Sequence, residues 1–188
     1  MLRSDPPQEG LNGLDAGQCL VRMLKGNFVN ASSVVMRRSV LEDVGNFDET
    51  FPCLVDKELW LRLLNAGARF YYDSEVVVLY RVHPRNISKK TDLLLATRRR
   101  IIDKAEEFMQ GNALFADIDW PSLKKEMQRH ICREAAEAHF AQGRCTQALK
   151  YGSPLHSGVS RRSCALFMRS LILSIANAGH RADSRTTN

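Results

Sequence analysis

The spacing of apolar residues changes near Lys90, and this change constrains the fold more than any other feature of the chain. Before Lys90, short runs rich in Val, Phe and Tyr alternate with short helical patterns, which is typical of mixed strand and helix. After it, apolar residues recur every three or four positions, as they do on one face of a helix. The sequence therefore predicts an α/β region over residues 1–90, a helical region over 91–179 and a disordered tail over 180–188.

Three segments before Lys90 have the composition of strands. Asn27 to Met36 is rich in Val, Ser and Phe, and both Arg69 to Tyr72 and Glu75 to Val82 are rich in aromatic or β-branched residues. Because Asp73-Ser74, between the last two segments, are turn-forming residues, the sequence predicts a β-hairpin there.

Helical patterns separate these segments. Cys19 to Leu24 has the spacing of a short helix. Ser39-Val40-Leu41-Glu42 is a capping-box pattern that predicts the start of a second helix, which Gly45 would end. A third helix is predicted from about Asp56 to Ala66.

The helical region beyond Lys90 has its own boundaries. Pro121 predicts the start of a long helix that Gly143 interrupts. The stretch Ala136–Ala148, with Gly143 between two helices, resembles one tetratricopeptide-like hairpin, and one such unit does not make a repeat array. Ser163 to Ala178 predicts a last helix, either buried or lying on a membrane surface. The sequence contains no run of about 18 apolar residues, so no membrane-spanning helix is predicted.

Composition is that of an ordinary globular protein, with 44% hydrophobic and 26% charged residues. The net charge of +6 suits an anionic ligand, such as a nucleotide-sugar, or acidic lipid headgroups, and does not by itself indicate nucleic acid. The cysteines are odd in number, widely spaced and without a C-x-x-C pair, which favours reduced thiols in a cytoplasm over disulfides or a zinc site.

Asp56 is the first candidate site residue, because it stands at the predicted start of an amphipathic helix. A carboxylate held there can take a proton from a sugar or lipid hydroxyl as the hydroxyl oxygen attacks an electrophilic carbon. The alternative is that Asp56 only caps the helix. Spacing alone favours the cap, and one residue can do both.

Arg81 and His83 follow the predicted hairpin. A guanidinium can neutralise a departing diphosphate through paired hydrogen bonds. A neutral imidazole can bind Mg²⁺ or Mn²⁺ beside phosphate oxygens, although these cations prefer oxygen ligands. The simpler interpretations are a charge at a strand edge and an ordinary loop histidine. Further on, the run Arg98-Arg99-Arg100 is typical of a solvated helix face.

Five stretches, in this order and spacing, resemble the acceptor-side half of an inverting family 2 glycosyltransferase of the GT-A type. They are Gly26-Asn27-Phe28, Ser32-Ser33-Val34-Val35-Met36-Arg37-Arg38, Gly45-Asn46-Phe47-Asp48-Glu49, Asp56-Lys57-Glu58-Leu59-Trp60-Leu61-Arg62-Leu63 and Tyr80-Arg81-Val82-His83-Pro84-Arg85-Asn86-Ile87-Ser88. The resemblance implies an α/β fold: a partial GT-A domain over residues 1–90 that lacks its donor half, followed by an all-α helical extension.

The resemblance also implies roles for the candidate residues. Asp56 corresponds to the aspartate of the family's Glu-Asp motif, the general base on the acceptor hydroxyl. His83 corresponds to the histidine that joins the metal and diphosphate site, and Arg81 is placed to contact the diphosphate. The implied cofactors are a divalent metal, Mg²⁺ or Mn²⁺, and a nucleotide-sugar donor, and the implied acceptor is a glycan or a lipid-linked molecule.

Two departures from the family's pattern stand out. Val55 occupies the place of the family's glutamate. The nearest Asp-x-Asp sequence, Asp117-Ile118-Asp119, falls after Asp56 rather than before it. The resemblance therefore implies a truncated or split form that is inactive alone.

The sequence as a whole predicts a glycosyltransferase that moves a sugar, with inversion, from a nucleotide-sugar to an acceptor hydroxyl. The alternative is a non-catalytic helical protein-interaction module that carries a degenerate glycosyltransferase remnant. A nucleic-acid partner rests on charge alone and is not favoured. The expected location is the cytoplasm, with peripheral contact at the inner face of the membrane as an alternative.

Overall fold

Helices predominate in the residues that the computed structural model describes, which are 2–3, 12–81, 83, 85–87, 90–152, 169 and 172. In chain order the elements are β1 (Leu2–Arg3), α1 (Ala16–Lys25), α2 (Arg38–Val44), α3 (Val55–Asn65), β2 (Tyr80–Arg81), α4 (Thr91–Gly111), α5 (Trp120–Ala141) and α6 (Cys145–Gly152). Short 3-10 turns lie at Ala31–Ser33 and Ala113–Phe115. The predicted α/β fold, a partial GT-A domain, is therefore wrong.

The predicted hairpin over residues 69–82 is also wrong. Among the described residues the only ladder is the two-residue antiparallel pair β1–β2, in which Leu2 lies opposite Arg81. Residues 69–79 contain neither helix nor strand, and their apolar side chains Val76 and Val77 are exposed. Strand propensity expresses how well a side chain fits a half-buried pleated surface. Residues 69–79 therefore form no strand, because no described segment pairs with their backbone.

The predicted strand from Asn27 to Met36 is replaced by a local turn. The side chain of Asn30 accepts a hydrogen bond from the backbone N–H of Ser32 at 3.0 Å, and the Ser33 hydroxyl donates to the Asn30 carbonyl at 2.9 Å. Asn and Ser side chains compete for backbone groups in this way and favour turns over ladders. The 3-10 turn at Ala31–Ser33 is the result.

A capping box is present in the chain, but at α1 rather than at α2. The Asp15 side chain accepts from the N–H of Gln18 at 2.7 Å, and the Gln18 side chain accepts from the N–H of Asp15 at 3.2 Å. The box predicted at Ser39 is wrong, because α2 begins at Arg38 and its cap residue, Arg37, makes no side-chain capping bond. Helix α2 does end at Gly45, whose φ of 83° is accessible to glycine at no steric cost.

We expect Asp15→Ala to lower the free energy of unfolding by about 1 kcal/mol, because the backbone N–H of Gln18 loses the side-chain oxygen that caps it at the start of α1. Urea denaturation followed by circular dichroism measures this. Asp43→Ala, which changes an exposed carboxylate inside α2, is the control and should stay within about 0.5 kcal/mol of the parent chain. Equal changes in the free energy of unfolding for the two substitutions would show that the capping box at α1 does not stabilise the fold.

Helix α3 lies at the centre of the first compact unit, Met1–Lys124, and contacts α1, α2 and α4. Its side chains Leu59, Leu61 and Leu64 are fully buried although they do not share one helix face. A helix is buried around its circumference when several neighbours pack on it, as they do here. The predicted helix near Asp56 is confirmed at Val55–Asn65, and the predicted helix at Cys19 is confirmed within α1.

The second compact unit is Lys125–Asn188, so the boundary between the units falls inside α5. The predicted helix break is confirmed: α5 ends at Ala141, Gly143 has a φ of 70°, and α6 begins at Cys145. The ring of the buried His139 stacks on that of Tyr151 with 5.4 Å between the centroids, which holds the two helices of this unit together.

Some of the predictions from sequence stay predictions. The division at residue 90 and the tail at 180–188 are not tested, and the predicted helix from Ser163 to Ala178 lies outside the described residues except for Arg169 and Ile172. In the part of the chain that the structure describes, every helix is too short or too polar to cross a membrane.

Candidate functional site

Asp56 is the second residue of α3, and its carboxylate is held by two donors. Oδ1 accepts from the backbone N–H of Lys57 at 2.8 Å, and Oδ2 accepts from Nδ2 of Asn27 at 3.1 Å. The side chain is half-buried. The capping interpretation is wrong, because the cap position belongs to Leu54, in the left-handed conformation at φ 55°. The carboxylate is thus fixed in direction and partly open to solvent.

Lys57 and Asn27 connect Asp56 to the end of α1. The Lys57 side chain is buried, and its Nζ donates to the carbonyl oxygen of Leu24 at 3.2 Å, in the last turn of α1. Asn27 follows two residues after α1 ends at Lys25. Sequence reasoning included Asn27 in a matching stretch but assigned it no role, because its partner is distant in the chain and no local pattern signals the contact.

A buried ionic cluster is centred on Glu58, two residues after Asp56 on α3. Glu58 is fully buried and accepts hydrogen bonds from Nε of Arg62 at 2.9 Å and from its Nη2 at 2.9 Å, and it also pairs with Nζ of Lys104 on α4. The Arg62 guanidinium donates in addition to the carbonyls of Val44, Gly45 and Asn46. The cluster therefore ties α3 to α4 and to the loop after α2.

Helix α4 holds the same loop a few residues further on. The Arg100 guanidinium donates to the carbonyl oxygen of Thr50 at 2.8 Å and lies 4.0 Å from the ring centre of Phe51. The sequence predicted a solvated helix face at Arg98-Arg99-Arg100, but Arg100 also contacts Thr50 and Phe51 in the loop before α3. Hydrogen bonds from the Thr50 hydroxyl and then from its N–H lower the pKa of Asp48, with a smaller contribution from the charge of Lys104. An ionised Asp48 fixes the turn that leads into α3.

Arg81 and His83 are two residues apart in the chain and are held by the same side chain. Arg81 is exposed in β2, and His83 is exposed just beyond it. Buried Asn86 holds this segment: its side chain accepts from the His83 N–H at 3.1 Å and donates to the Arg81 carbonyl at 3.0 Å. Among the described residues, neither candidate makes a side-chain hydrogen bond or ion pair with Asp56.

The described residues do not by themselves fit a divalent cation. No three His, Cys, Asp or Glu side chains in this part of the chain converge on one point, as an all-protein site would require. His83 could supply only one ligand to a cation whose other ligands came from elsewhere.

A cavity of about 850 Å³ lies beside α3, within the first compact unit. Its walls come from most of residues 28–37 and 68–80, and Cys19, Val40, Trp60 and Leu63 also line it. Burial raises the pKa of the Cys19 thiol, as does the nearby charge of Asp15. Cys19 therefore contributes a neutral thiol, and the lining combines aromatic, aliphatic and a few charged side chains.

Comparison with known proteins finds relatives that match part of the chain. A stretch of 72 residues is 36% identical to the pre-mycofactocin glycosyltransferase of Mycobacterium tuberculosis, in strain CDC 1551 / Oshkosh and in strain ATCC 25618 / H37Rv. The match covers 37% of this chain and 15% of the relative, so the chain spans only a small part of that protein's length. No family model and no solved structure matches the chain. The matched stretch relates this chain to a glycosyltransferase.

Proposed function

We propose that this chain is the acceptor-side part of an inverting family 2 glycosyltransferase, and that Asp56 is its general base. The observation that carries the proposal is the Asp56 carboxylate, which is half-buried at the start of α3 and held by Asn27 and by the N–H of Lys57. The match to the mycobacterial glycosyltransferase supports it. The α/β fold that the resemblance implied forms no part of the proposal.

In the proposed reaction the acceptor hydroxyl oxygen attacks the anomeric carbon of a nucleotide-sugar. A new C–O bond forms on one face of the sugar while the bond to the nucleoside diphosphate breaks on the other, which inverts the configuration. Asp56 takes the hydroxyl proton as the oxygen attacks. The two hydrogen bonds that the carboxylate already accepts keep it in one orientation, so little reorganisation is needed as the proton moves.

Arg81 and His83 belong to the proposal as contacts of the donor. The exposed Arg81 guanidinium can form paired hydrogen bonds with diphosphate oxygens and so stabilise the charge of the leaving group. The exposed His83 imidazole can add one ligand to a divalent cation, Mg²⁺ or Mn²⁺, that the diphosphate carries. The described residues do not by themselves form a site for that cation.

The test is a chimera in which residues 26–88 replace the corresponding segment of the mycobacterial glycosyltransferase. We expect the chimera to release nucleoside diphosphate from its nucleotide-sugar when it is given that enzyme's own acceptor. We expect the 188-residue chain alone to release none under the same conditions, because it supplies the acceptor side only. A coupled assay for the released nucleoside diphosphate measures both.

A chimera that is folded by circular dichroism and binds the nucleotide-sugar, yet transfers no sugar, would contradict the proposal. The same segment with residues 69–79 kept from the mycobacterial enzyme is the matched control. It separates a mismatch in that irregular segment from a loss of the chemistry around Asp56.

A further inference from the structure

We propose that Arg100 of α4 is a positioning residue for Asp56. It acts through the entry loop, which runs from Phe47 to Leu54 and leads directly into α3. The proposal rests on the proposed function for calling Asp56 a base. The coupling between α4 and Asp56 is argued from the contacts of the described residues alone.

Leu54, the last residue of the entry loop, has a backbone conformation that is unusual for its type. Its φ of 55° is left-handed, and among the described residues it is the only residue other than glycine with a positive φ. A leucine adopts this conformation at a cost in free energy, so the surrounding structure must hold it there. Strained residues cluster at functional sites, and here Asp56 stands two residues further on.

The conformation of Leu54 determines how α3 begins. Its carbonyl oxygen accepts the first hydrogen bond of the helix, from the N–H of Glu58 at 3.1 Å. Asp56 is the second helical residue, so it lies in the turn that this bond closes. If Leu54 relaxed to an ordinary conformation, the first turn would unwind or change direction, and the Asp56 carboxylate would move with it.

Arg100 binds the middle of the entry loop in two ways. Its guanidinium donates to the carbonyl oxygen of Thr50 at 2.8 Å and to the Thr50 hydroxyl at 3.0 Å, and it lies 4.0 Å from the ring centre of Phe51. Phe51 is buried. Because a guanidinium is planar, it fixes the direction of its partners as well as their distance. The loop is therefore held against α4 at Thr50 and Phe51.

Two further residues on the same face of α4 contact the loop on either side of Arg100. Thr97 and Lys104 stand three residues before it and four residues after it. The Thr97 hydroxyl oxygen accepts from the thiol of Cys53, the residue before the strained leucine, at 3.1 Å. Nζ of Lys104 lies 3.8 Å from Oδ2 of Asp48, near the start of the loop. Contacts on both sides keep the loop from shifting along α4.

The N–H of Lys57 reports the orientation of Asp56, because it donates to Oδ1 at 2.8 Å. Its NMR signal is measured in the complete 188-residue chain labelled with ¹⁵N. A charge-assisted hydrogen bond to a carboxylate moves an amide proton downfield, and Asp56→Ala gives the position without that bond. We expect Arg100→Met to move the signal at least half of the way to the Asp56→Ala position. Arg99→Met, which changes the neighbouring exposed arginine, is the control and should leave the signal in place.

A second substitution shows whether Arg100 acts through Leu54. Leu54→Gly removes the side chain that disfavours the left-handed conformation, so the start of α3 depends less on α4. In that background Arg100→Met should move the Lys57 signal much less than in the parent chain. Equal movement in the two backgrounds would overturn the proposal.

An Arg100 that only stabilised the fold would lower the urea midpoint without moving the Lys57 signal, and this result would also overturn the proposal. If Arg100→Met does not fold, Arg100→Lys replaces it, since lysine keeps the charge and loses the planar fork. If the signal stays in place while the chimera transfers sugar, this proposal falls and the proposed function stands. If the signal moves as expected while the folded chimera is inert, the proposed function falls.

Discussion

Glu58→Gln should destabilise the first compact unit by about 3 kcal/mol, since removing one partner from a buried ion pair leaves the other uncompensated. Glu58 is fully buried, and its charge is balanced by Arg62 and Lys104, whose side chains are 17% and 25% exposed. Glutamine keeps the shape and one acceptor oxygen but removes the charge. Because both cations keep some contact with water, we expect the lower end of the range for a broken buried pair rather than the upper end.

The chain contains a matched control for this prediction. Arg38 and Glu42 also form an arginine–glutamate pair four residues apart, at 2.8 Å, but their side chains are 89% and 61% exposed. Glu42→Gln should therefore change the free energy of unfolding by no more than about 0.5 kcal/mol. Urea denaturation of the two variants measures the difference. Similar effects of the two substitutions would mean that burial adds nothing to the Glu58 cluster.

A double-mutant cycle separates the two partners of Glu58. Lys104→Met removes the cation from α4 and keeps the length of the side chain. If Lys104 and Glu58 act on each other, the double variant should lose less stability than the sum of the single losses. A strictly additive result would assign the stabilisation to Arg62, which also holds the carbonyls of Val44, Gly45 and Asn46.

Local patterns predicted α3 well, because a helix makes its own backbone hydrogen bonds. The apolar spacing after Asp56 and the glycine beyond Ala66 were enough to locate it within a residue at each end. The same patterns gave no indication that Glu58 is buried. Glutamate is usually exposed, and the residue that compensates its charge from another helix, Lys104, is distant in the chain, so only the folded structure reveals the pair.

Strands depend on partners, and this is why the strand predictions failed. The segment from residue 69 to residue 79 has the composition of a strand, yet among the described residues it has no ladder. In the earlier segment, Asn30 and Ser33 satisfy backbone groups locally and turn the chain. The candidate site was only partly predictable from the sequence. Asp56 was identified from its place at the start of a helix, but its hydrogen bonds with Asn27 and Lys57 are visible only in the folded structure.

Asp56→Asn should lower the rate of sugar transfer by the chimera by about 100-fold to 10,000-fold, the range expected when a general base is lost. Asparagine has nearly the same shape and can still accept a hydrogen bond from the N–H of Lys57, but its amide cannot take a proton at neutral pH. The coupled assay on the folded variant measures the rate. Glu49→Gln, which changes an exposed carboxylate in the loop before α3, is the control and should keep the parent rate.

The stability of the Asp56→Asn variant decides how a loss of rate is interpreted. If the carboxylate is a base, its removal costs activity but little folding energy, because both groups that donate to it, on Lys57 and Asn27, can still bond to an amide oxygen or to water. If Asp56 serves only to join α3 to the segment after α1, the variant should lose stability and activity together. A rate close to that of the Glu49→Gln control in a fully folded variant would leave Asp56 without a catalytic role.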